Sequence, residues 1–208
     1  MGIITMEITI KSSSSRNLLD WIDTDEPFSD GLNMLEEEKY SFEARIKVYK
    51  EKTLIGEIYG IVFDEETTEN EGEDLEDVAD MIDGDVEGAM AYLVRSNIYK
   101  KEIDGDLVFA PLFDCYIQNY FLYSKDENEN KIIVEYLFKN LSDIFLYCFG
   151  THMRCFVTYP APQHIDNGHV VDTLDKDGTI KEKMIEFHKK MGYTPLGESG
   201  YFAINCII

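Results

Sequence analysis

Alternating apolar and polar positions predict three strands in the first part of the chain. Residues 6–11 alternate polar with apolar side chains, which is the pattern of a half-buried strand. Residues 42–48 alternate in the same way, and residues 54–63 return as a second strand after a Glu-Lys turn, so the two predict a β-hairpin. Before this hairpin, apolar residues within 17–38 are interrupted by Pro and Gly, which favours two short helices.

The segment that follows the hairpin is strongly acidic. From residue 64 to residue 87, 13 of 24 residues are Asp or Glu and none is Lys or Arg. Apolar side chains recur every three or four residues between 75 and 98, which predicts amphipathic helices, with Gly84 and Gly88 as candidate breaks. We therefore interpret residues 64–98 as an acidic helical insertion whose charged face is solvated.

The second half of the chain predicts two strands joined by a helix. Residues 107–113 and 115–123 have the composition of strands. Spaced apolar side chains over 132–149 predict a long helix, and residues 155–159 form a short buried strand. A strand, a helix and a strand in this order normally form a parallel pair with a right-handed crossover.

The C-terminal part predicts a loop, a helix and a closing hairpin. Residues 163–178 are polar and predict a loop. Thr179 and Glu182 have the capping-box spacing, so we expect Thr179 to be the N-cap of a helix that ends at Gly192. Residues 194–208 predict a last strand or hairpin.

Length, composition and charge favour a single α/β domain over residues 1–208. The chain is 44% hydrophobic, enough for a core, and 19 basic against 41 acidic residues give a net charge of −22. Such a charge disfavours nucleic acid as a partner and favours a basic one. No apolar run reaches the roughly 18 residues of a membrane helix, and the N-terminus lacks a secretory pattern, so we expect a cytoplasmic protein without membrane contact.

Candidate metal ligands and cysteines do not form a convincing site in the sequence. Three potential ligands share one loop: His164, Asp166 and His169. Asp175 and Asp177 match two positions of a calcium loop, but Met184 stands where a bidentate Glu is required. The four cysteines contain no CxxC pair and lie among apolar residues. We expect no metal and buried, reduced thiols.

The order of elements and one C-terminal fragment resemble a known family. The fragment is Phe187-His-Lys-Lys-Met-Gly-Tyr193, followed by Thr-Pro-Leu-Gly-Glu-Ser-Gly-Tyr-Phe202. It is similar to the last helix and final strands of the GCN5-related N-acetyltransferase (GNAT) family. The resemblance implies a GNAT-like mixed central sheet with the helical insertion after the first hairpin. It also implies an enzyme that transfers an acyl group from acetyl-CoA to a cationic amine.

The resemblance further implies where the cofactor and the catalytic residues lie. In the family, acyl-CoA occupies a V-shaped split between two parallel strands, and its diphosphate rests on amides at the start of the next helix. The cofactor-binding residues implied here are Phe121, Leu122 and Tyr123 on the strand, and Asn130, Lys131 and Ile132 at the helix start. The family's proton donor corresponds to His188, with Tyr193 or Tyr201 as substitutes, and a histidine suits this role because its pKa lies near neutrality.

One departure from the family pattern keeps a second hypothesis open. Residues 125–134 contain no glycine, and Asp126, Glu127 and Glu129 would repel a diphosphate. A lone helical histidine such as His188 is also typical of a surface residue. The sequence therefore leaves two functions. One is an N-acetyltransferase acting on a small-molecule amine or basic peptide, in which the acidic segment 64–87 lines the acceptor side and attracts the cation. The other is a non-catalytic GNAT-fold acidic module that binds a basic partner.

Overall fold

The protein has a mixed α/β fold built on a seven-stranded sheet. The computed structural model describes residues 4–11, 40–96, 98, 113–149, 153–166 and 169–206. The strand order is β1-β2-β3-β4-β5-β9-β8, and β6 pairs with β7 in a separate hairpin. The strands are β1 Ile4–Lys11, β2 Ser41–Lys50, β3 Thr53–Asp64, β4 Phe113–Leu122, β5 Met153–Thr158, β6 Gln163–Asp166, β7 His169–Asp172, β8 Thr194–Pro195 and β9 Phe202–Asn205.

Five helices surround this sheet within the described residues. They are α1 Glu65–Glu71, α2 Leu75–Asp80, α3 Gly84–Val94, α4 Glu127–Phe149 and α5 Thr179–Lys190. The apolar side chains of α4 and α5 belong to one core cluster, with alternate residues of β2 such as Ile46 and Val48. Those of α2 and α3 belong to a second cluster, with Phe63 and Tyr116. The sheet is therefore covered by helices on both faces, as the nearly continuous burial of β3 and β5 requires.

The strand pairing confirms the predicted hairpin and the predicted parallel unit. Strands β1 to β4 pair antiparallel in sequence order, and Glu51 and Lys52 form the β2–β3 turn with φ of 49° and 72°. Strand β4 pairs parallel with β5 across the helix α4. The predicted helix start at residue 132 is wrong, because α4 begins at Glu127. The first turn of α4, which the prediction omitted, is polar, so the period of apolar residues does not extend into it.

The acidic insertion contains three helices, and an aspartate is the N-cap of each. Asp64, Asp74 and Asp83 are the N-caps of α1, α2 and α3, and each accepts a hydrogen bond from a backbone N–H within its helix at 2.7 to 3.0 Å. Gly84 opens α3 as the expected break, whereas Gly88 lies inside it. Three acidic residues of the insertion therefore have a structural role, since orphan amides at helix starts need acceptors.

Two expectations for the C-terminal part are corrected by the structure. The polar loop predicted over residues 163–178 contains the β6–β7 hairpin, whose short and largely exposed strands lack a clear alternation. Thr179 is not an N-cap: the cap is Gly178, with φ of 76°, and the amides of the first turn bond to Asp177 and Asp175 instead. Asp175 and Asp177 thus act as helix-capping residues, and the resemblance to a calcium loop reflects that role.

Several predictions lie outside the described residues. These are the two short helices within 17–38 and the strand over 107–112. Within the described part of the chain, every helix is too short or too polar to cross a lipid bilayer.

Candidate functional site

Strands β4 and β5 part after five paired positions, which opens a slot in the sheet. Their parallel ladder joins Phe113–Ile117 to Met153–Thr158, and Ile117 and Thr158 form its last pair. Beyond this point β4 runs on to Leu122, whereas β5 ends and the chain turns at Tyr159. A bulge at Gln118 shifts the β3–β4 register at the same place. A bulge bends its strand and raises the local twist, so it turns β4 away from β5.

The slot widens into a cavity of about 890 Å³ on the face that carries the acidic insertion. Tyr59, Tyr116 and Phe121 line it from the sheet, and α3 and the segment after β7 supply side walls. A smaller cavity of about 200 Å³ continues between β4 and the segment after β5 toward Ile180 and Met184 of α5. The two cavities share lining residues, so the slot is open toward both faces of the sheet.

The charged side chains that line the larger cavity are mostly acidic. Asp83 and Asp85 come from the start of α3, Asp172 is the last residue of β7, and Asp175 lies in the β7–α5 connection. The one basic lining residue among those described is Lys181, whose Nζ donates to the Tyr159 hydroxyl at 2.9 Å. Four carboxylates against one ammonium group give the cavity a negative potential, which raises the local concentration of cations.

Aromatic rings supply a second feature of the cavity that suits a cation. Tyr59 and Phe121 meet edge to face with 6.3 Å between ring centroids, and the Arg45 guanidinium lies 4.5 Å from the Tyr59 centroid. Tyr201 contacts the rings of Tyr159 and Tyr116, at 5.3 and 6.4 Å. Burial, with the nearby Glu57 carboxylate, raises the pKa of Tyr59 to about 12, so this phenol stays neutral at physiological pH. Faces of neutral aromatic rings attract ammonium and guanidinium groups.

The predicted cofactor-binding residues of β4 lie at or beside the slot. Phe121 is buried and lines both cavities, while Leu122 packs against the apolar core. Tyr123 follows the strand, and its hydroxyl donates to the Glu57 carboxylate, which also accepts from Arg45. Tyr123 is therefore engaged in an ion-pair network on the sheet. Phe121 is the member of this set that contacts the slot.

The start of α4 does not fit a diphosphate group. The Asp126 carboxylate accepts from the backbone N–H groups of Asn128 and Glu129 at 2.9 and 3.4 Å, so the chain itself occupies these amides. Glu129 forms an ion pair with Lys50 and accepts from the Ser124 hydroxyl. A diphosphate would have to displace the Asp126 carboxylate from these amides, and the Glu129 carboxylate beside it would repel the ligand. Two of the amides at the helix start, where the family resemblance places the diphosphate of acetyl-CoA, are therefore already bonded to the Asp126 carboxylate.

The three residues predicted to hold the diphosphate are not arranged for that purpose. The Asn130 side chain donates to the Ser124 carbonyl at 2.8 Å, and its Oδ1 is buried without a hydrogen-bond partner among the described residues. Lys131 and Ile132 are exposed on the first turns of α4. An isoleucine side chain offers no hydrogen bond to phosphate oxygens, and the lysine alone does not offset the neighbouring carboxylates.

The predicted catalytic residues His188 and Tyr193 lie in the core rather than in the cavity. His188 has no exposed surface, its Nδ1 contacts the Met184 carbonyl at 2.7 Å, and its Nε2 has no partner in the described part of the structure. The interpretation of His188 as a surface residue is therefore wrong, because it lies on the apolar face of α5. Burial lowers the pKa of His188, although the bond to the Met184 carbonyl opposes this.

Tyr193 is also buried, and its hydroxyl has no hydrogen-bond partner among the described atoms. Its ring centroid lies 5.6 Å from that of His188, within a cluster of aromatic rings from α4 and α5. Burial raises its pKa well above the usual value. Neither residue lines either cavity. Tyr201, the other substitute, contacts cavity rings and donates to the Asp85 carbonyl at 3.0 Å.

Metal-ligand geometry is not found in the described residues. No group of three or more His, Cys, Asp or Glu side chains there converges on one point. His164 Nδ1 lies 3.0 Å from the Thr173 hydroxyl. Cys115, Cys155 and Cys206 are free thiols, and the first two are buried as expected.

Sequence reasoning did not identify most of the cavity. For the acidic segment 64–87 the sequence left two alternatives, a solvated face or a lining of the acceptor side that attracts a cationic amine, and Asp172 and Asp175 were assigned to a loop. What brings them to Tyr59 and Phe121 is packing between segments more than 20 residues apart in the chain, which has no local pattern. Comparison with known proteins adds no assignment: no protein-family model matches the chain, and neither does any curated protein sequence.

Proposed function

We propose that the protein is a non-catalytic binding module with a GNAT-like sheet, which takes a cationic group of a basic partner in the cavity at the β4–β5 slot. The single observation that carries this proposal is the cavity lining, which contains four aspartates and several aromatic residues but one lysine among the described residues. The order of elements and the parting of β4 from β5 support the GNAT-like arrangement.

Electrostatics and ring chemistry both favour a cation in this cavity. Asp83, Asp85 and Asp172 are exposed and Asp175 is half-buried, so each carboxylate contributes up to about 1 kcal/mol to binding an ammonium group, and the four act together through their negative potential. A ring face adds about 0.5–2 kcal/mol for a cation, depending on desolvation. The carboxylates come from two separate segments around an aromatic floor, so an entering amine meets acceptors from more than one direction.

The absence of a fitting diphosphate site separates this proposal from acyl transfer. The carboxylates of Asp126 and Glu129 use the amides and the lysine that a phosphate would need. His188 and Tyr193 are enclosed by the core and do not line the cavity. These observations support a binding function over a CoA-dependent one.

Titration with small amines tests the proposal. Lysinamide and spermidine are titrated calorimetrically into the protein at low salt, and we expect binding that weakens as salt is added. The variants Asp85→Asn and Asp172→Asn remove cavity charge and are expected to weaken binding several-fold. Asp77→Asn and Asp80→Asn remove the same charge from exposed positions of α2, outside the cavity. Equal losses in both sets, or no binding of either amine, would contradict the proposal.

Acyl transfer from acetyl-CoA to a cationic amine remains the second candidate. The observation that favours it is the slot itself, since β4 and β5 part as the family resemblance implies. Titration with acetyl-CoA distinguishes the two functions. Saturable binding of acetyl-CoA together with release of free CoA in the presence of spermidine would support the enzyme over the binding module.

A further inference from the structure

Within the described residues, half of β4 has an edge with which no strand pairs. Five residues, Gln118–Leu122, extend past the last β4–β5 pair and bond to β3 along one side only. In an antiparallel ladder, successive residues direct their peptide groups to opposite sides. Alternate N–H and C=O groups of this segment therefore point into the slot, where no strand of the described chain pairs with them.

The chain segment across the slot is unable to close it. Tyr159 is followed by Pro160 and Pro162, which lack the N–H group that a ladder requires. Between them, the Ala161 N–H bonds back to the Tyr159 carbonyl at 2.8 Å, so the backbone bends in a tight turn. Strand β6 then follows but pairs only with β7 among the described strands. The two prolines and the turn across the slot thus keep the edge of β4 open.

The slot has openings on both faces of the sheet, and their chemistry differs. On one face of the sheet, the slot opens into the acidic cavity, which is lined by Asp83 and Asp85 with Tyr59 and Phe121. On the other face, the slot opens into the smaller cavity beside Ile180 and Met184. An extended peptide directs successive side chains to opposite faces, so it would place basic and apolar residues alternately into these two environments.

We propose that the slot accepts an extended, basic peptide segment of a partner protein, which adds as a strand to the free edge of β4 and inserts a lysine or arginine into the acidic cavity. This inference rests on the proposed function and specifies its partner. The free edge Gln118–Leu122 spans about 17 Å at roughly 3.3 Å per residue, so a peptide segment of five or six residues covers it. Main-chain hydrogen bonds then supply affinity, and the alternate pockets supply specificity.

The test compares peptides that differ only in charge or in backbone hydrogen bonding. The reference probe is a capped hexapeptide, acetyl-Thr-Val-Lys-Val-Thr-Val-amide. One control replaces its lysine by norleucine, which keeps the length and removes the charge. A second control carries N-methyl groups on two alternate peptide nitrogens, which removes two ladder donors and keeps the charge. Two such peptides, methylated on the two alternative sets of nitrogens, cover both registers in which the peptide could pair with β4. Lysinamide is the probe that cannot form the backbone hydrogen bonds of a ladder.

The proposal expects the reference peptide to bind more tightly than lysinamide. N-methylation in the productive register should weaken binding by about tenfold or more, the loss of two backbone hydrogen bonds. Hydrogen exchange measured by mass spectrometry should show added protection in Gln118–Leu122 when the reference peptide is bound. The variant Asp85→Asn should weaken the lysine peptide more than the norleucine peptide.

The outcomes separate this inference from the function on which it rests. If both N-methylated peptides bind like the reference, or if exchange over Gln118–Leu122 is unchanged, strand addition is overturned while amine binding stands. If lysinamide binds and the hexapeptide does not, the peptide partner is excluded in the same way. If the norleucine peptide binds as tightly as the lysine peptide and lysinamide does not bind, the proposed recognition of a cation fails.

Discussion

The Thr158 hydroxyl donates to the Ile117 carbonyl at 3.2 Å, and these two residues are also the last pair of the β4–β5 ladder. The hydrogen bond therefore joins the two strands at the point where they part. Thr158 is almost fully buried, so its hydroxyl has little access to water as an alternative partner. The closed end of the slot is held by a side chain as well as by the backbone.

Replacing Thr158 by valine is expected to destabilise the fold by about 1–2 kcal/mol, because a buried carbonyl loses its side-chain donor while the volume is kept. Urea unfolding at neutral pH measures the change. Thr194→Val is the matched control, since Thr194 also donates to a carbonyl across strands, that of Ala203 at 3.3 Å, but is an exposed residue. A T158V variant as stable as T194V would show that the bond at the end of the slot contributes nothing.

The buried Arg154 guanidinium joins the acidic insertion to the sheet. It forms ion pairs with Asp114 of β4, which has no exposed surface, and with Glu65 of α1. Arg154→Met leaves the Asp114 carboxylate buried without its cation, for which we expect a loss of about 3–5 kcal/mol. Arg95→Met breaks the exposed pair with Glu76 and should cost less than about 1 kcal/mol. Equal unfolding free energies for the two variants would contradict this assignment.

His188 gives the fold a predictable dependence on pH. Burial lowers its pKa below the ordinary value of 6.5, so the unfolded chain takes up a proton at a higher pH than the folded one. Stability from this group is complete above pH 6.5 and is lost as the pH falls below that value toward the folded pKa. His188→Asn retains a donor for the Met184 carbonyl but does not titrate.

Unfolding free energies measured between pH 7 and pH 5 test the role of His188. We expect the H188N variant to lose about 1–3 kcal/mol at pH 7 through poorer packing and to show a flatter decline toward pH 5. The same substitution at the exposed His164 is the control for packing and should change the unfolding free energy at pH 7 by less than about 0.5 kcal/mol. Parallel profiles for H188N and the unmodified protein would contradict the prediction.

Two substitutions that remove acidic charge at the start of α4 should create an anion site there. Asp126→Gly frees the amides of Asn128 and Glu129, and Glu129→Arg replaces the carboxylate that neutralises Lys50. A glycine N-cap costs only a few tenths of a kcal/mol relative to aspartate, so the helix should persist. We expect the double variant to bind millimolar pyrophosphate in calorimetry, and the unmodified protein to show no heat.

The control for this variant is Glu127→Arg with Asp126 retained. It adds positive charge at an exposed position in the first turn but leaves both amides capped. Pyrophosphate binding by this control as tight as that of the double variant would show that net charge, not the freed amides, is responsible. Binding by the unmodified protein would show that Asp126 and Glu129 do not block the site.

The sequence alone determined the elements with a clear local period. Alternation over residues 42–48 and 54–63 predicted the β2–β3 hairpin, and the long apolar helix between two strands predicted the parallel β4–β5 pair. These predictions succeeded because side-chain direction follows directly from the period of a strand or a helix. The first turn of α4 and the β6–β7 hairpin were missed because their exposed polar residues carry no such period.

Only the tertiary structure decided which chemistry meets in one place. The −22 charge was evident from composition, but packing alone brings Asp83 and Asp85 to face Asp172 and Asp175 across an aromatic floor. Packing also buries His188 in the core. From the helical pattern alone, this residue could have been either a surface residue or a catalytic one. The physical reason is that periodicity fixes a side chain relative to its own element, whereas burial and the meeting of charges depend on elements distant in the chain.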